Sequence, residues 1–377
     1  MVVTMKSNII KISIVFFMFL TTPIILPTTA LTNENTNLVY EYYNYQKMTE
    51  LLQNLQSQYP DIMKLETYGK TYEGRDVWLV TISDNVNLDE KEPGVLFMGA
   101  HHANEKPSYE ALLFFIKYVL DNYTKIDRVR NVVDNTQIFV IPMVNPDGVE
   151  YSINTEEWRK NREPNYDDNG DIISYGVDLN RNYDFRWNLL EKFTSLYGGR
   201  WIASPDSFGY RGEAPFSENE TTAVKNVVEQ HLINISLSYH TYGEFITYPW
   251  TDNSGRTPDE DLFVSVGEGI CSINNYELYG TQNTVIPRPG GTLGTSENWL
   301  YATQGILSFT IEICKTRVPT NPDTVYEYCS THVEVNLYVC ERAADIANNG
   351  PPKVTQCSSP FPNLLSLLHQ FFNSVPK

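Results

Sequence analysis

The stretch GVLFMGAHHANE, Gly94 to Glu105, decides how this chain reads: an apolar, β-rich run opens directly into His101, His102 and Glu105. The same arrangement occurs twice more. NISLSY (Asn234 to Tyr239) leads into His240, and GILSFTI (Gly305 to Ile311) leads into Glu312. In an open α/β sheet, chemistry collects where parallel strands end. Three predicted strand ends therefore carry three imidazoles and two carboxylates, with His102, Glu105, His240 and Glu312 the informative four. Two His and one carboxylate with an open position form a ligand set for catalytic zinc. A further carboxylate is then available as general base toward water activated at the metal. Taken singly, each element is weak. The chain has six His, a lone His after a strand is usually a loop or core residue, and a short motif such as His102-x-x-Glu105 needs context.

Outward from these runs, strands and helices alternate, as in a single α/β domain. YQKMTELLQNLQSQYP (Tyr45 to Pro60) has apolar residues at helical spacing and ends at Pro60. DVWLVTIS and QIFVIPM read as strands. KPSYEALLFFIKYVLDNY (Lys106 to Tyr123) predicts a strong helix behind the His102 loop. TVYEYCSTHVEVNLYVCERAADIA (Thr324 to Ala347) predicts the final helix, its apolar and aromatic stripe facing the core.

Two further segments, VNPDGVEYSINTEEWRKNR (Val144 to Arg162) and GVDLNRNYDFRW (Gly176 to Trp187), complete an ordered set with HHANE, SYHTY and FTIEI. Together they resemble the zinc carboxypeptidase family, the pancreatic-carboxypeptidase-like metallopeptidases, from about Tyr40 to about Asn349. The resemblance implies a mixed, mostly parallel twisted sheet flanked by helices, with one Zn2+ at the C-terminal ends of the strands. It matches His102, Glu105 and His240 to the zinc ligands, with His101 a structural neighbour. Asp178 matches a carboxylate that orients the first ligand His. Arg159 matches the group that polarises the scissile carbonyl and stabilises the oxyanion, and Glu312 the general base. Asn180 and Arg181 match the pair that grips the substrate's terminal carboxylate, for which a planar guanidinium is suited. Tyr242 matches a substrate-binding position. The implied partners are peptide or protein C-termini.

The sequence also departs from the family. Asn104 stands where an Arg is usual. The substrate-capping Tyr of many members falls near Gly290, and Ile286 to Trp299 contains no Tyr; Tyr279 is a possible substitute from a displaced loop. Glu297 falls in the pocket for the terminal side chain, the pattern of members that prefer Lys or Arg; the alternative is a shifted loop and a solvated carboxylate. Ser238 and Thr310 align with small pocket-lining residues, or are packing positions.

Residues 1–30 read as a signal peptide: Lys6 and Lys11 precede ISIVFFMFL, and Thr28-Thr29-Ala30 offers a cleavage site. An uncleaved anchor is the alternative, though the apolar run is short for a span. The expectation is a secreted chain, with a short segment 31–39, a catalytic domain 40–349 and no stable membrane span once the signal is removed. No room is seen for a large inhibitory prosegment, nor for a transthyretin-like domain. Removing the signal takes two Lys and no acids, moving the formal charge from −18 to −20. So acidic a chain excludes non-specific nucleic-acid binding, which needs clustered Lys and Arg. Five Cys follow no zinc-knuckle spacing, and Cys329 and Cys340 on one helix are about 16 Å apart, too far to pair. YDDNGD (Tyr166 to Asp171) is either a polar turn or a structural calcium site. The tail 350–377 contains NLLSLLHQFF (Asn363 to Phe372), a short amphipathic helix. Three functions stay open: a secreted zinc carboxypeptidase, a related amide hydrolase acting on cell-wall peptides, and a non-catalytic peptide-binding relative.

Overall fold

Strands β3 (Gly94–Met98) and β4 (Gln137–Ile141) are apolar along almost their whole length because both of their faces are covered. Val95, Phe97, Ile138 and Val140 face one core, while Leu96, Met98, Phe139 and Ile141 face a second. This is the two-residue alternation of a strand with an apolar layer on either side. The computed structural model describes residues 39–88, 90–189, 200–252, 255–280 and 293–349. The expected signal segment, most of the segment 31–39, the position Gly290 and the tail 350–377 lie outside the described residues.

Eight strands form one sheet in the order β1 (Met63–Lys70), β2 (Asp76–Ile82), β4, β3, β7 (Ile235–Thr241), β10 (Leu307–Ile313), β8 (Phe245–Thr247), β9 (Glu277–Tyr279). The centre, β4-β3-β7-β10, is parallel throughout. β1, β2 and β4 pair antiparallel at one side, β8 pairs antiparallel with β10, and β8 and β9 are parallel. The expected mixed, mostly parallel sheet is thus observed. Helices α1 (Tyr45–Gln58), α2 (Pro107–Asn122), α3 (Asp127–Val133), α7 (Glu260–Asn274) and α9 (Pro322–Asn349) contribute to the first core. Helices α6 (Asn219–Gln230) and α8 (Ser296–Gln304) contribute to the second. Short helices α4 (Pro146–Ser152) and α5 (Arg200–Ala203) and a hairpin of β5 (Pro164–Tyr166) and β6 (Ile172–Tyr175) complete the described elements used below.

Local rules set the helix ends. Asn44 caps α1 by accepting from the Lys47 N–H at 2.8 Å. The helix stops at Gln58, two residues short of the Pro60 end expected from sequence, because the residue before a proline is disfavoured in helical conformation. Cys329 and Cys340 both lie on α9 and are free thiols, as are Cys271 and Cys314; Cys357 lies outside the described residues.

His332, on α9, is fully buried among Tyr239 and Tyr276, each ring centroid 5.6 Å away. Its Nδ1 donates to the Tyr328 carbonyl at 2.7 Å, and Nε2 has no partner among the described residues. Burial pushes the imidazole down to about 4. A folded-state value below the unfolded one stabilises the fold fully above pH 6.5, and that contribution is lost as pH falls toward 4. The loss is about 3 kcal/mol in all. His332→Asn, which keeps a donor near the Nδ1 position, is expected to be less stable than the parent at pH 7 but to lose less on going to pH 4.5. Urea unfolding at the two pH values checks this; an equally steep loss in the variant would show that the proton uptake arises elsewhere.

Candidate metal centre

The loop between β3 and α2 carries two of the expected ligands, and its shape is set by close approach. At Gly99 a Cβ would lie 2.7 Å from the Pro142 carbonyl oxygen and 2.9 Å from that of Ser108, so only glycine fits between them. The Ser108 hydroxyl then ties the loop together, accepting from the Ala100 N–H at 2.9 Å and donating to the Glu105 carbonyl. His240 comes from the end of β7, which pairs directly with β3.

These elements bring His102, Glu105 and His240 together, with 4, 4 and 1 % of their surfaces exposed. His102 Nδ1 lies 2.9 Å from Glu105 Oε1, and His240 Nδ1 lies 3.0 Å from Glu105 Oε2 and 3.0 Å from His102 Nδ1. His102 Nε2 is 3.1 Å from Asp178 Oδ1, and His240 Nε2 is 3.2 Å from the Ser238 hydroxyl. With the outer nitrogens so placed, both Nδ1 atoms face the same carboxylate. Such a donor set suits zinc. A second grouping among the described residues, Asp84, Glu90 and Glu92, offers oxygen alone. The turn at Asp167–Asp171 is not a cation site: its Asp167 carboxylate accepts from the N–H groups of Asn169 and Asp171, both at 2.9 Å, closing the turn on itself. The calcium expected there is not supported.

Asp178 is completely buried. Burial alone would raise its carboxyl, but Arg159 foremost, with His102 and Arg181, holds it well below the usual range. Arg159 donates from Nε to Asp178 Oδ2 at 2.9 Å and from Nη1 to Glu105 Oε1 at 3.3 Å, and its Nη2 lies 2.6 Å from His102 Nε2. Its guanidinium sits 5.4 Å from the ring of Phe208, which is exposed. Burial likewise opposes ionisation of Glu105, and the imidazoles of His102 and His240 overcome it.

Glu312 ends β10 beside His240, its register partner on β7. Sequence places both residues just past their strands; they lie within them, on the last turns of the ladder. The same ladder pairs Ser236 with Ser308 and Ser238 with Thr310. Because side chains alternate along a strand, these six residues line one face of two adjacent strands. The residues between them, Ile235, Leu237, Tyr239, Leu307, Phe309 and Ile311, fill the first core. A polar stripe therefore runs from Ser236 and Ser308 up to His240 and Glu312. At its lower end the Ser308 hydroxyl donates to the Glu297 carbonyl at 2.6 Å.

Glu297 is 3 % exposed, so the solvated alternative does not hold. Its Oε1 accepts from the Thr251 hydroxyl at 3.1 Å. Its Oε2 is buried and has no partner among the described residues, and the same is true of the Thr295, Ser296 and Thr310 hydroxyls. Asn180 and Arg181 form a 3-10 turn with Leu179. Asn180 Nδ2 is 3.4 Å from His240 Nε2, its Oδ1 accepts from the Ser296 N–H at 2.9 Å, and Arg181 is 4 % exposed. Tyr242 stands half-exposed just beyond His240. Tyr279 packs on Phe245 at 5.3 Å with its hydroxyl on Glu277, which ties it to the edge of the sheet. Two supporting residues were not foreseen. Tyr183 holds His101 through a hydroxyl 2.8 Å from Nε2, and Ser238 touches both His101 and His240. The alternation in ISLSYHT and LSFTIEI was the available signal for the second.

Comparison with known proteins gives the same answer from a different direction. Residues 48–334 match the family model described as zinc carboxypeptidase. A zinc carboxypeptidase of Saccharothrix mutabilis subsp. capreolus is 34% identical over 281 residues, covering 72% of this chain and 62% of that protein. Carboxypeptidase B of Helicoverpa zea is 28% identical over 284 residues, 72% of this chain and 63% of that protein. The chain thus spans less than two thirds of the length of these relatives. Among solved structures, carboxypeptidase A of Helicoverpa armigera superposes with a TM-score of 0.69 at 21% identity, over 82% of this chain and 75% of that one. Thrombin-activatable fibrinolysis inhibitor gives 0.69 at 22%, over 81% and 75%. At such identities the structural likeness speaks for the fold. With the family model extending over most of the sequence and the ligand donors converging inside it, this chain belongs to the zinc carboxypeptidase family.

Proposed function

We propose that residues 40–349 act as a zinc metallocarboxypeptidase that removes C-terminal residues from peptides, exported under the direction of residues 1–30. The observation that carries this reading is the convergence of His102 Nδ1, His240 Nδ1 and the Glu105 carboxylate, with Glu312 beside His240 on the next strand. His102, Glu105 and His240 hold the ion, which when bound supplies a Lewis acid and a lowered pKa for coordinated water. Glu312 takes the proton from the attacking water and returns it to the leaving amine. Arg159 is anchored through Nε on Asp178, which aims its Nη atoms at the triad, where they stabilise the oxyanion. Asn180 and Arg181 receive the terminal carboxylate, and Tyr242, half-exposed next to Thr241, contacts the substrate. The described residues contain no helix long and apolar enough to cross a membrane, which is compatible with export.

The polar stripe supports a basic preference. It leads from the triad toward a buried carboxylate, one oxygen of which has no partner among the described residues, with the Thr251 hydroxyl on the other oxygen and the Ser308 hydroxyl on the Glu297 carbonyl. A wrong partner leaves the buried carboxylate unpaired, so such a group discriminates strongly. A Lys or Arg side chain lying along the stripe would carry its cation toward Glu297.

Peptides that differ only at the last residue, each as free acid and as amide, provide the direct test on zinc-loaded protein. We expect stepwise loss from the free acids alone, fastest for Lys and Arg, and loss of that preference in Glu297→Gln. Equal cleavage of the amides would move the assignment to an amide hydrolase, and zinc binding without any turnover would move it to a peptide-binding relative.

Two further variants separate chemistry from metal retention. Glu312→Gln is expected to keep its zinc while turnover falls by about a thousandfold. Asp178→Asn is expected to weaken zinc binding by about 10- to 100-fold, read by competition with a chromogenic chelator. Unchanged zinc affinity in Asp178→Asn would contradict the orienting role assigned to that carboxylate.

A further inference from the structure

The residues around the triad have an order. On one side His240 touches Asn180, Asn180 holds the start of α8 through Ser296, and Glu297 follows. A second set of contacts starts from Glu105, which accepts from the Thr241 N–H at 3.1 Å, and includes Asn104, Glu157, Arg317 and Tyr242. The Asn104 side chain donates to the Glu157 carbonyl at 3.2 Å. The Glu157 carboxylate accepts from Arg317 Nη1 at 2.7 Å, the Thr241 hydroxyl donates to the Arg317 carbonyl at 3.0 Å, and the Arg317 guanidinium lies 5.8 Å from the centre of the Tyr242 ring. If the terminal carboxylate is held at Asn180 and Arg181, as the functional reading above requires, the rest of the substrate chain leaves past Tyr242.

We propose that Arg317 is a specificity-determining residue that selects acidic side chains a few positions upstream of the scissile bond. Asn104, beside the ligand Glu105, carries no charge, and beyond it Arg317 presents a guanidinium through Glu157. It is held from two directions, by the Tyr242 ring below it and by its own backbone bonded to Thr241, so its position costs the substrate little ordering. Its counter-ion is readily exchanged. The Glu157 side chain is 83% exposed and that of Arg317 35%, and ion pairs so open to water are weak. A substrate carboxylate arriving over Tyr242 replaces Glu157 and leaves no buried charge unpaired.

The test uses full-length zinc-loaded protein and acylated tetrapeptides ending in Lys, with Glu, Gln or Lys at the second and third positions before the scissile bond. The readout is the ratio of kcat/KM between the Glu and Gln peptides within one preparation, which does not depend on the fraction folded. We expect a ratio of about five in low salt, falling as salt rises. In Arg317→Ala the ratio should fall to about one, in Arg317→Glu it should invert, and Arg317→Lys should keep part of it. A ratio unchanged in Arg317→Ala overturns the proposal. Fluorescence anisotropy with the same peptides carrying a dye gives the ratio as Kd values. If no form turns the peptides over, the carboxypeptidase reading fails, and the binding ratio alone then supports or overturns the role of Arg317.

Discussion

Parallel pairing of β7 with β10 fixes the site. Its register sets Ser236 against Ser308, Ser238 against Thr310 and His240 against Glu312, all on one face of the sheet. A slip of either strand by one residue would turn its polar residues into the first core and bring Leu237 and Tyr239, or Phe309, onto the polar face. The apolar set therefore enforces the register, and the register positions the chemistry. Burial of ordinary side chains such as Leu237 and Phe309 thereby defines the place of Glu312 beside His240.

A second constraint is charge balance. Asp178 and Glu105 are both buried, and a buried carboxylate is tolerated only when it is paired and hydrogen-bonded. Arg159 serves both, and each in turn faces His102. The four groups form one network, so each restricts the others' rotamers before any ligand arrives. Preorganisation of this kind is what a site needs if its dipoles are to act without rearrangement.

Much of this was legible in the sequence. Apolar runs ending in His or Glu located the strand ends, and helical spacing located α1, α2 and α9. What stayed hidden was of two kinds. Some contacts join residues far apart in the chain with no periodic signal, as with Tyr183 and His101, 82 positions apart. Others depend on burial. Glu297 reads equally as a solvated or a buried acid until the packing of α8 against Ser308 and Thr251 is known. The Asp167 turn stayed open between two readings for a related reason. Asp, Asn and Gly favour both cation loops and self-closed turns, and the direction of the backbone N–H groups decides between them.

The ligands also bear on how the chain comes apart. Glu105 and His240 are 135 positions apart, on segments that adjoin only because β3 and β7 pair. An ion gripping both closes a very long loop, and closing a long loop removes much of the unfolded chain's freedom. Parting β3 from β7 then also requires release of the ion, so chelation should shorten the lifetime of the native state as well as remove its chemistry. If these three side chains hold zinc as proposed, the metal centre is a clasp on the middle of the sheet, and resistance to unfolding and catalytic competence would depend on the same residues.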